Sequence, residues 1–430
     1  KLYSPIYFNK QKFIKYVLLE FLINNVKILF KFFYFLFNPK YISNITCQDI
    51  VIISHYIQNH NYRNGDFYYK LLEDDLRKKK IINKIYLLKD QNNIKFNVPY
   101  EDKYTFIPNY INPFKFIKIY FKQIKLSLIF INKFLKTKNY LEKRIFYMLF
   151  HKTIDSGTIY NLIKHEQFKY IFKKTKPLAT ICNFEGNAIE RIIYLSSSII
   201  NKKINKIGYS HTTSFPNRNS VYLKLNNYLM PNIILLNSEN LLNEFSKKGF
   251  NNLYLLGLLS KDKKKNVKLK KNKKNILIIP EGIQNEFDEF YKFSKNISKK
   301  YPNYNFILRP HPIKKIEYNE KFDNLIISNR KINYDLGVSN YVFFRGTTLI
   351  IKCIKNKLIP IYVNFGEQYS FNIFENSLRK FIYEINADNI DNIDFESMKL
   401  DKNIYDFSNN FFSKFDKTQL ESLINILYKK

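Results

Sequence analysis

Short apolar runs that alternate with helical segments between residues 275 and 364 constrain the fold of this chain more than any other feature. Three of these runs, at residues 275–280, 305–308 and 341–344, are almost entirely apolar, which indicates strands buried on both faces. Their alternation with helices predicts a parallel sheet that is covered on both sides. Ligands of such sheets bind at the carboxyl ends of the strands, so functional residues are expected there.

The same pattern recurs earlier in the chain and predicts an α/β fold of two Rossmann-like domains facing a cleft, with amphipathic helices in the N-terminal part. The predicted strands of the earlier domain are residues 49–57, 85–88, 178–183, 206–210, 233–236 and 253–256. The predicted organisation is a basic amphipathic helical segment (1–45), a first Rossmann-like domain for the acceptor (46–258), a lysine-rich linker (259–274), a second Rossmann-like domain for the donor (275–405) and a closing helix (406–430). No Gly-x-Gly-x-x-Gly sequence follows the first strand, so the dinucleotide fingerprint is absent.

The chain of 430 residues carries a formal charge of +35, from 71 basic and 36 acidic residues. Such a charge is typical of proteins that bind nucleic acid or anionic membranes. Because Lys, Asn, Ile, Phe and Tyr, which have AT-rich codons, crowd this chain, we interpret most lysines as solvated and predict no nucleic-acid partner. Cys47, Cys182 and Cys353 lie far apart without metal or disulfide spacing, which predicts a cytoplasmic location.

Residues 114–136 are predicted to form a helix whose lysines fall within a narrow arc at about 3.6 residues per turn. These lysines are Lys115, Lys118, Lys122, Lys125, Lys133 and Lys136. One interpretation is a core helix with a solvated lysine face. The other is a helix resting on an anionic membrane surface, at the inner face of the cytoplasmic membrane, where each lysine contributes on the order of 1 kcal/mol. The apolar segment 13–37 is interrupted by charged residues, whereas a membrane span needs about 20 apolar ones.

A Gly346-Thr347-Thr348 turn separates the predicted strand at 341–344 from a predicted helix at 349–355. The N–H groups at the start of such a helix favour phosphate, and two threonine hydroxyls add further donors. The alternative is an ordinary helix cap, since threonine caps many helices. We predict that this turn binds the phosphate of a nucleotide.

His311 follows the predicted strand at 305–308 and lies between two prolines, which hold it in a rigid turn. An imidazole there either donates to a phosphate or leaving group near neutral pH, or serves only the turn. Arg309 can pair with a phosphate or with a carboxylate of its own domain. Glu281 and Gly282 follow the strand at 275–280 and are candidates for contacts with a ribose or a base edge.

Two titratable side chains follow strands of the first predicted domain. Glu185 lies just past the strand at 178–183, where partial desolvation would raise the pKa of its carboxyl and suit a general base; the alternative is a first-turn glutamate on the helix dipole. His211 takes the matching place after the strand at 206–210 and is a rival base. Glu190 and Arg191 are interpreted as a surface pair. No acidic cluster follows a strand, so we predict a site without a metal ion.

In these motifs the chain resembles GT-B glycosyltransferases of bacterial surface polysaccharide synthesis, such as capsule or lipopolysaccharide. The closest motif layout is that of the sialyl-, polysialyl- and Kdo-transferases, which use CMP-activated sugars. Their acidic-Gly, His-Pro and Ser/Thr motifs occur here in the same order, at residues 185–186, 311–312 and 347–348. The likeness covers roughly residues 150–365. The acidic motif has one carboxylate here, preceded by Phe184, where the family has an acidic pair.

The resemblance implies a role for each motif. Glu185 would be the base that activates an acceptor hydroxyl, His311 would contact the donor phosphate and assist its departure, and Thr347 and Thr348 would bind that phosphate. The implied enzyme is an inverting, metal-independent transferase that needs no cofactor, because the nucleotide-sugar is a co-substrate. Its partners would be that nucleotide-sugar donor and a glycan or lipid-linked glycan acceptor.

Three alternatives stay open. Teichoic-acid glycerophosphotransferases share the fold, a first-domain histidine and an Arg-Pro-His-Pro-like segment, and on that hypothesis His211 is the base and CDP-glycerol the donor. A GT-B sugar-nucleotide epimerase would need no acceptor. A non-catalytic, membrane-associated assembly protein would use the lysine-rich helices and a degenerate site.

Overall fold

The computed structural model describes residues 45–57, 60–88, 102–108, 112–212 apart from 155, 219–259, 271–282, 284–311, 323–366 and 372–429 apart from 375, with scattered positions between 19 and 33. Most of the predicted N-terminal helical segment and of the predicted linker therefore lies outside the described residues. Within the described ranges, the chain forms two sheets whose strand pairs are all parallel.

The first sheet has seven strands in the order β3-β2-β1-β4-β5-β6-β7. The strands are Ile50–His55 (β1), Ile85–Leu88 (β2), Tyr104–Phe106 (β3), Ala179–Asn183 (β4), Asn205–Ser210 (β5), Ile233–Leu236 (β6) and Leu253–Leu255 (β7). Strands β2 and β3 follow β1 toward one edge of the sheet, and strands β5, β6 and β7 follow β4 toward the other edge. The point where the order reverses, between β1 and β4, is where open α/β sheets bind ligands.

The second sheet has six strands in the order β10-β9-β8-β11-β12-β13. The strands are Asn275–Ile279 (β8), Asn305–Leu308 (β9), Leu325–Ile327 (β10), Tyr341–Phe344 (β11), Ile359–Asn364 (β12) and Tyr383–Asn386 (β13). Its order reverses between β8 and β11. The two sheets thus repeat one topology, and both predicted Rossmann-like units are observed.

Helices cover both faces of each sheet. They are Lys70–Lys78 (α1), Pro113–Lys136 (α2), Tyr140–Ile154 (α3), Ser156–Thr175 (α4), Ala188–Ile200 (α5), Glu239–Lys247 (α6), Gln284–Lys300 (α7), Ile332–Val338 (α8), Leu349–Lys355 (α9), Lys402–Asn410 (α10) and Lys417–Tyr428 (α11). Short helical turns occur at Tyr62–Asn64, Asn219–Tyr222, Asn227–Leu229 and Asn376–Arg379. No helix among these residues is long and apolar enough to cross a bilayer.

Successive residues of the central strands enter opposite cores, as a doubly covered sheet requires. In β1, Ile50 and Ile52 pack in the core beneath α1, whereas Val51 and Ile53 pack in the core beneath α4 and α5. The last helix, α11, also packs in the first of these cores, although it follows the second sheet in the chain. The second sheet is covered by α7 on one face and by α9 and α10 on the other.

Helix α2 buries only a narrow face. Its buried residues are Phe116, Gln123, Ser127 and Phe134. Most of its other apolar side chains are exposed, including Phe114, Phe121 and Leu128. Phe116 and Phe134 lie on the buried face and the predicted lysines are exposed, as both interpretations require, so each of the two stays a prediction.

Candidate functional site

Glu185 and His211 form a pair at the carboxyl ends of two neighbouring strands. Glu185 follows β4, His211 follows β5, and the two strands are hydrogen-bonded in parallel. His211 Nε2 lies 3.3 Å from Glu185 Oε1, with 20% and 21% of the two side chains exposed. The pair is thus partly desolvated but open to solvent, as an acid–base group needs to be.

Glu190 on α5 fixes the loop that carries Glu185. Its Oε2 accepts the backbone N–H groups of Glu185 at 2.8 Å, Gly186 at 2.8 Å and Asn187 at 3.0 Å. Glu190 is 1% exposed, and this burial raises the pKa of its carboxyl to about 7, although the N–H bonds oppose the rise. A single buried carboxylate therefore sets the backbone path of the loop.

Arg191 is also buried, so the prediction of a Glu190–Arg191 surface pair is wrong. Its guanidinium lies 5.1 Å from the ring centroid of Phe184, and Nη2 donates to the carbonyl of Ser220 at 3.2 Å. Gly186 has a φ of +82°, and a Cβ there would lie 2.5 Å from the carbonyl carbon of Ser220. The segment at Ser220 thus packs directly on the glutamate loop.

Tyr68, from the loop after β1, completes this group. Its ring lies 4.7 Å from that of His211 in an edge contact. Burial raises the pKa of the Tyr68 hydroxyl, and the charge of Glu185 raises it further. Asn237, after β6, donates from Nδ2 to the His211 carbonyl at 2.8 Å. Tyr68 was not predicted as a site residue, and Glu190 was predicted only as half of a surface pair. The position of Tyr68 beyond the first strand is the signal that the sequence offers.

In the second sheet, His311 and Gly282 lie against each other. His311 follows β9 and Gly282 follows β8, which pairs with β9 in parallel. A Cβ added to Gly282 would lie 3.1 Å from His311 Nδ1. Two of the predicted donor-side turns are therefore in contact, and the missing side chain of Gly282 makes room for the imidazole.

Arg309 pairs with a carboxylate of its own domain, the second of its two predicted alternatives. Its Nη1 donates to Asp335 Oδ2 at 2.7 Å and to the Arg330 carbonyl at 2.8 Å. Asp335 is 1% exposed and also accepts from the hydroxyl of Ser328. This arrangement stabilises the packing of α8 beside the sheet.

The Gly346-Thr347-Thr348 turn follows β11, on the other side of β8 from β9. Thr347 Oγ1 accepts the N–H of Leu349 at 3.3 Å, whereas Thr348 makes no side-chain cap to α9. Both threonines are half-buried. Because β9, β8 and β11 are adjacent and parallel, His311, Glu281 and the threonine turn all lie at one edge of the sheet.

Two buried charged residues that were not predicted lie at the same edge. Glu286, in the first turn of α7, is 5% exposed, and Arg345, directly after β11, is 2% exposed. Burial raises the pKa of Glu286 to about 7; the charge of Glu281 adds to this rise and that of Arg345 opposes it. An arginine directly after a fully buried strand is the signal that the sequence carries.

The four lysines predicted to face a membrane lie exposed on α2, and the Nζ of Lys115 is 3.1 Å from Glu166 Oε2 on α4. Their relation to a membrane stays a prediction. No three His, Cys, Asp or Glu side chains come together as a metal site in the ranges that the structure describes.

No protein-family model matches the sequence, and no curated protein sequence does either. Solved structures match in fold. The UDP-GlcNAc 2-epimerase from Neisseria meningitidis, in a structure bound to UDP-GlcNAc, is 11% identical with a TM-score of 0.51, over 88% of this chain and 100% of that chain. The glycosyltransferase SnogD from Streptomyces nogalater is 7% identical with a TM-score of 0.50, over 89% of this chain and 100% of that chain.

These likenesses establish the fold alone. Sequence identities this low carry no information about substrates. The chain has a two-domain α/β fold of the GT-B type, which confirms that part of the predicted fold class. The predicted amphipathic helices of the N-terminal part stay a prediction.

Proposed function

We propose that the protein is a metal-independent, inverting glycosyltransferase that moves a sugar from a nucleotide donor to a glycan or lipid-linked glycan acceptor. The observation that carries the proposal is the Glu185–His211 pair, at the strand ends where α/β sheets bind ligands. The GT-B type of fold supports it, since the glycosyltransferase SnogD has a similar fold.

Glu185 acts as the base, and His211 positions it. His211 directs Nε2 at Glu185, and its Nδ1 is buried. Glu185 takes the proton of an acceptor hydroxyl as the acceptor oxygen bonds to the anomeric carbon. The bond from that carbon to the donor phosphate oxygen breaks, and the nucleotide leaves with the electron pair. A positioned base contributes about 10²–10⁴-fold to such a step.

The second domain binds the nucleotide. His311 donates to the phosphate and assists its departure, with the turn at 346–348 supplying further donors. The motif resemblance favours a CMP-activated acidic sugar as donor, and UDP-sugars come next because one structural neighbour was solved with UDP-GlcNAc. Thermal unfolding with CMP, CDP, UDP and GDP ranks these donors, since a ligand that binds only the folded state raises stability.

The experiment that tests the base is transfer by Glu185→Gln. We expect turnover to fall by about 10²–10⁴-fold with unchanged nucleotide affinity. Glu421→Gln, on the exposed surface of α11, is the matched control and should transfer normally. Near-normal turnover of Glu185→Gln would reject the proposal.

A sugar-nucleotide epimerase is the second candidate, because a UDP-GlcNAc 2-epimerase is among the proteins of similar fold. Incubation with the donor alone separates the two functions. An epimerase converts the donor without an acceptor, whereas a transferase yields a glycosylated product only when an acceptor is present.

If His211→Asn abolishes transfer while Glu185→Gln retains it, His211 is the base and the glycerophosphotransferase alternative takes precedence.

A further inference from the structure

We propose that the hairpin of α2 and α3 docks on the surface of an anionic lipid bilayer through its far end, residues 128–149, here called the hairpin tip. The hairpin tip contains none of the residues of the Glu185–His211 site, and the proposal holds whether or not the protein transfers sugar.

The near end of the hairpin is anchored to the first domain. Phe116 of α2 is buried against Ile159 and Ile163 of α4. Lys115 pairs with Glu166 of the same helix. Helix α4 in turn contributes Phe168 and other residues to the core beneath the first sheet. The near end is therefore fixed in position by the folded domain.

Polar contacts and a tight turn hold the two helices together farther along. Gln123 donates to the carbonyl of Thr153, and Ser127 Oγ donates to Thr153 Oγ1 at 3.0 Å. Asn139 Oδ1 accepts the N–H groups of Leu141 at 2.9 Å and of Glu142 at 3.2 Å, which caps α3 directly after the turn. Since α2 has 24 residues, it extends about 36 Å from end to end.

The hairpin tip exposes apolar side chains that a water-soluble helix pair would bury. Phe134 of α2 and Tyr147 of α3 pack against each other between the two helices, with ring centroids 6.0 Å apart. Other apolar side chains of the hairpin tip are exposed to solvent. The exposed apolar side chains are Leu128, Leu135, Tyr140, Leu141, Ile145 and Met148. Exposure reaches 71% at Tyr140 and 65% at Leu141. Several exposed apolar residues at one end of a helix pair indicate an interaction surface, whereas single exposed residues do not.

The charge around the patch identifies the partner as anionic. Residues 113–153 contain ten Lys and Arg residues but one acidic residue, Glu142. The whole chain has one acidic residue for every two basic ones, at 36 and 71, so the hairpin is depleted in acidic residues beyond the bias of the composition. Basic side chains interleaved with apolar ones suit the boundary between lipid headgroups and acyl chains.

This mixture favours a bilayer over a protein partner. Lysine is depleted in protein interfaces, whereas in a membrane interface it extends its charged end to the headgroups while its stem lies along apolar surface. The proposed mode of binding is interfacial, with the hairpin tip at the boundary between lipid headgroups and acyl chains.

The test is flotation of the full chain with vesicles of phosphatidylcholine alone or mixed with phosphatidylglycerol. We expect binding to the mixed vesicles, little binding to the neutral ones, and loss of binding at high salt. The double variant Leu135→Gln, Leu141→Gln should bind the mixed vesicles about tenfold more weakly or worse. Ile199→Gln on α5 is the matched control, since Ile199 and Leu135 are both 54% exposed, and it should bind normally.

Equal binding by the double variant and the wild type overturns the proposal, and so does failure of the wild type to bind the mixed vesicles. When the wild type does not bind vesicles, light scattering shows whether the double variant has a different oligomeric state. A changed oligomeric state would make the hairpin tip an interface between two copies of the chain. Circular dichroism of both variants checks that each is folded.

Discussion

The carboxylate of Glu190 accepts the backbone N–H of Glu185 at 2.8 Å, so one acidic side chain holds the loop that presents another. Glu190 is buried whereas Glu185 is partly exposed, and their environments differ accordingly. The buried carboxylate of Glu190 determines the shape of the loop, and the partly exposed carboxylate of Glu185 is accessible to a substrate.

This relationship predicts a pH-dependent stability that Glu190→Gln removes. The pKa of Glu190 rises from 4.5 to about 7 on folding, so the folded state holds the proton more tightly than the unfolded state. Stability is therefore lost as pH rises from about 4.5 to about 7, by up to about 3 kcal/mol at about 1.4 kcal/mol per pKa unit. The amide of the Glu190→Gln variant stays neutral and keeps an oxygen for the N–H groups.

Urea unfolding of both proteins between pH 4.5 and 8 measures the difference. The variant should gain in stability relative to the wild type as pH rises, whereas parallel curves would contradict the assignment. Glu190→Ala, which removes the acceptor oxygen, should lower both stability and turnover at every pH.

Gly186→Ala should destabilise the protein more than another glycine substitution at a similar φ. Gly186 has a φ of +82° and the Ser220 backbone 2.5 Å from the position of a Cβ. Gly366 has a φ of +73° with open space around it, so its alanine variant measures the backbone strain alone, roughly 1–2 kcal/mol. The clash should add roughly 1–3 kcal/mol at Gly186. Equal losses in chemical denaturation would show that the Ser220 segment moves away freely.

Gly282→Ala should weaken nucleotide binding through His311. The added Cβ lies 3.1 Å from His311 Nδ1, so the imidazole must shift. A nucleotide that contacts the His311 ring should bind several-fold more weakly to the variant. Calorimetry measures this change with the nucleotide that raises the thermal stability of the protein most. In the His311→Ala background the same substitution should have no further effect, because the ring that it displaces is gone. Additive losses would show that Gly282 acts independently of His311.

The sequence predicts the central strands well because a strand buried on both faces is a continuous apolar run. Residues 305–308 and 341–344 were predicted with the bounds that the structure shows. The strands Tyr104–Phe106 and Tyr383–Asn386 were missed. Both lie at sheet edges and are short, and the second is mostly exposed, so neither has that signal.

The sequence predicted those site residues that directly follow strands, by the rule that ligands of parallel sheets bind at the carboxyl ends of the strands. That rule placed Glu185 and His211 on neighbouring strands, and the structure brings them to 3.3 Å. It could not show that Glu190 turns inward to bind three N–H groups, because a glutamate in the first turn of a helix is usually exposed. Nor could it show that Tyr68 reaches His211, which depends on the path of a loop 143 residues earlier in the chain.

Arg309 should prove to be a stabilising residue whose loss leaves nucleotide affinity unchanged. Its guanidinium pairs with Asp335, which is 1% exposed, so Arg309→Gln leaves a buried carboxylate without its cation. We expect a loss of roughly 1–3 kcal/mol in the free energy of unfolding. The double variant Arg309→Gln, Asp335→Asn should recover part of that loss, since no buried charge is then left uncompensated. If Arg309→Gln instead keeps its stability and loses nucleotide affinity, the guanidinium leaves Asp335 and binds the donor phosphate.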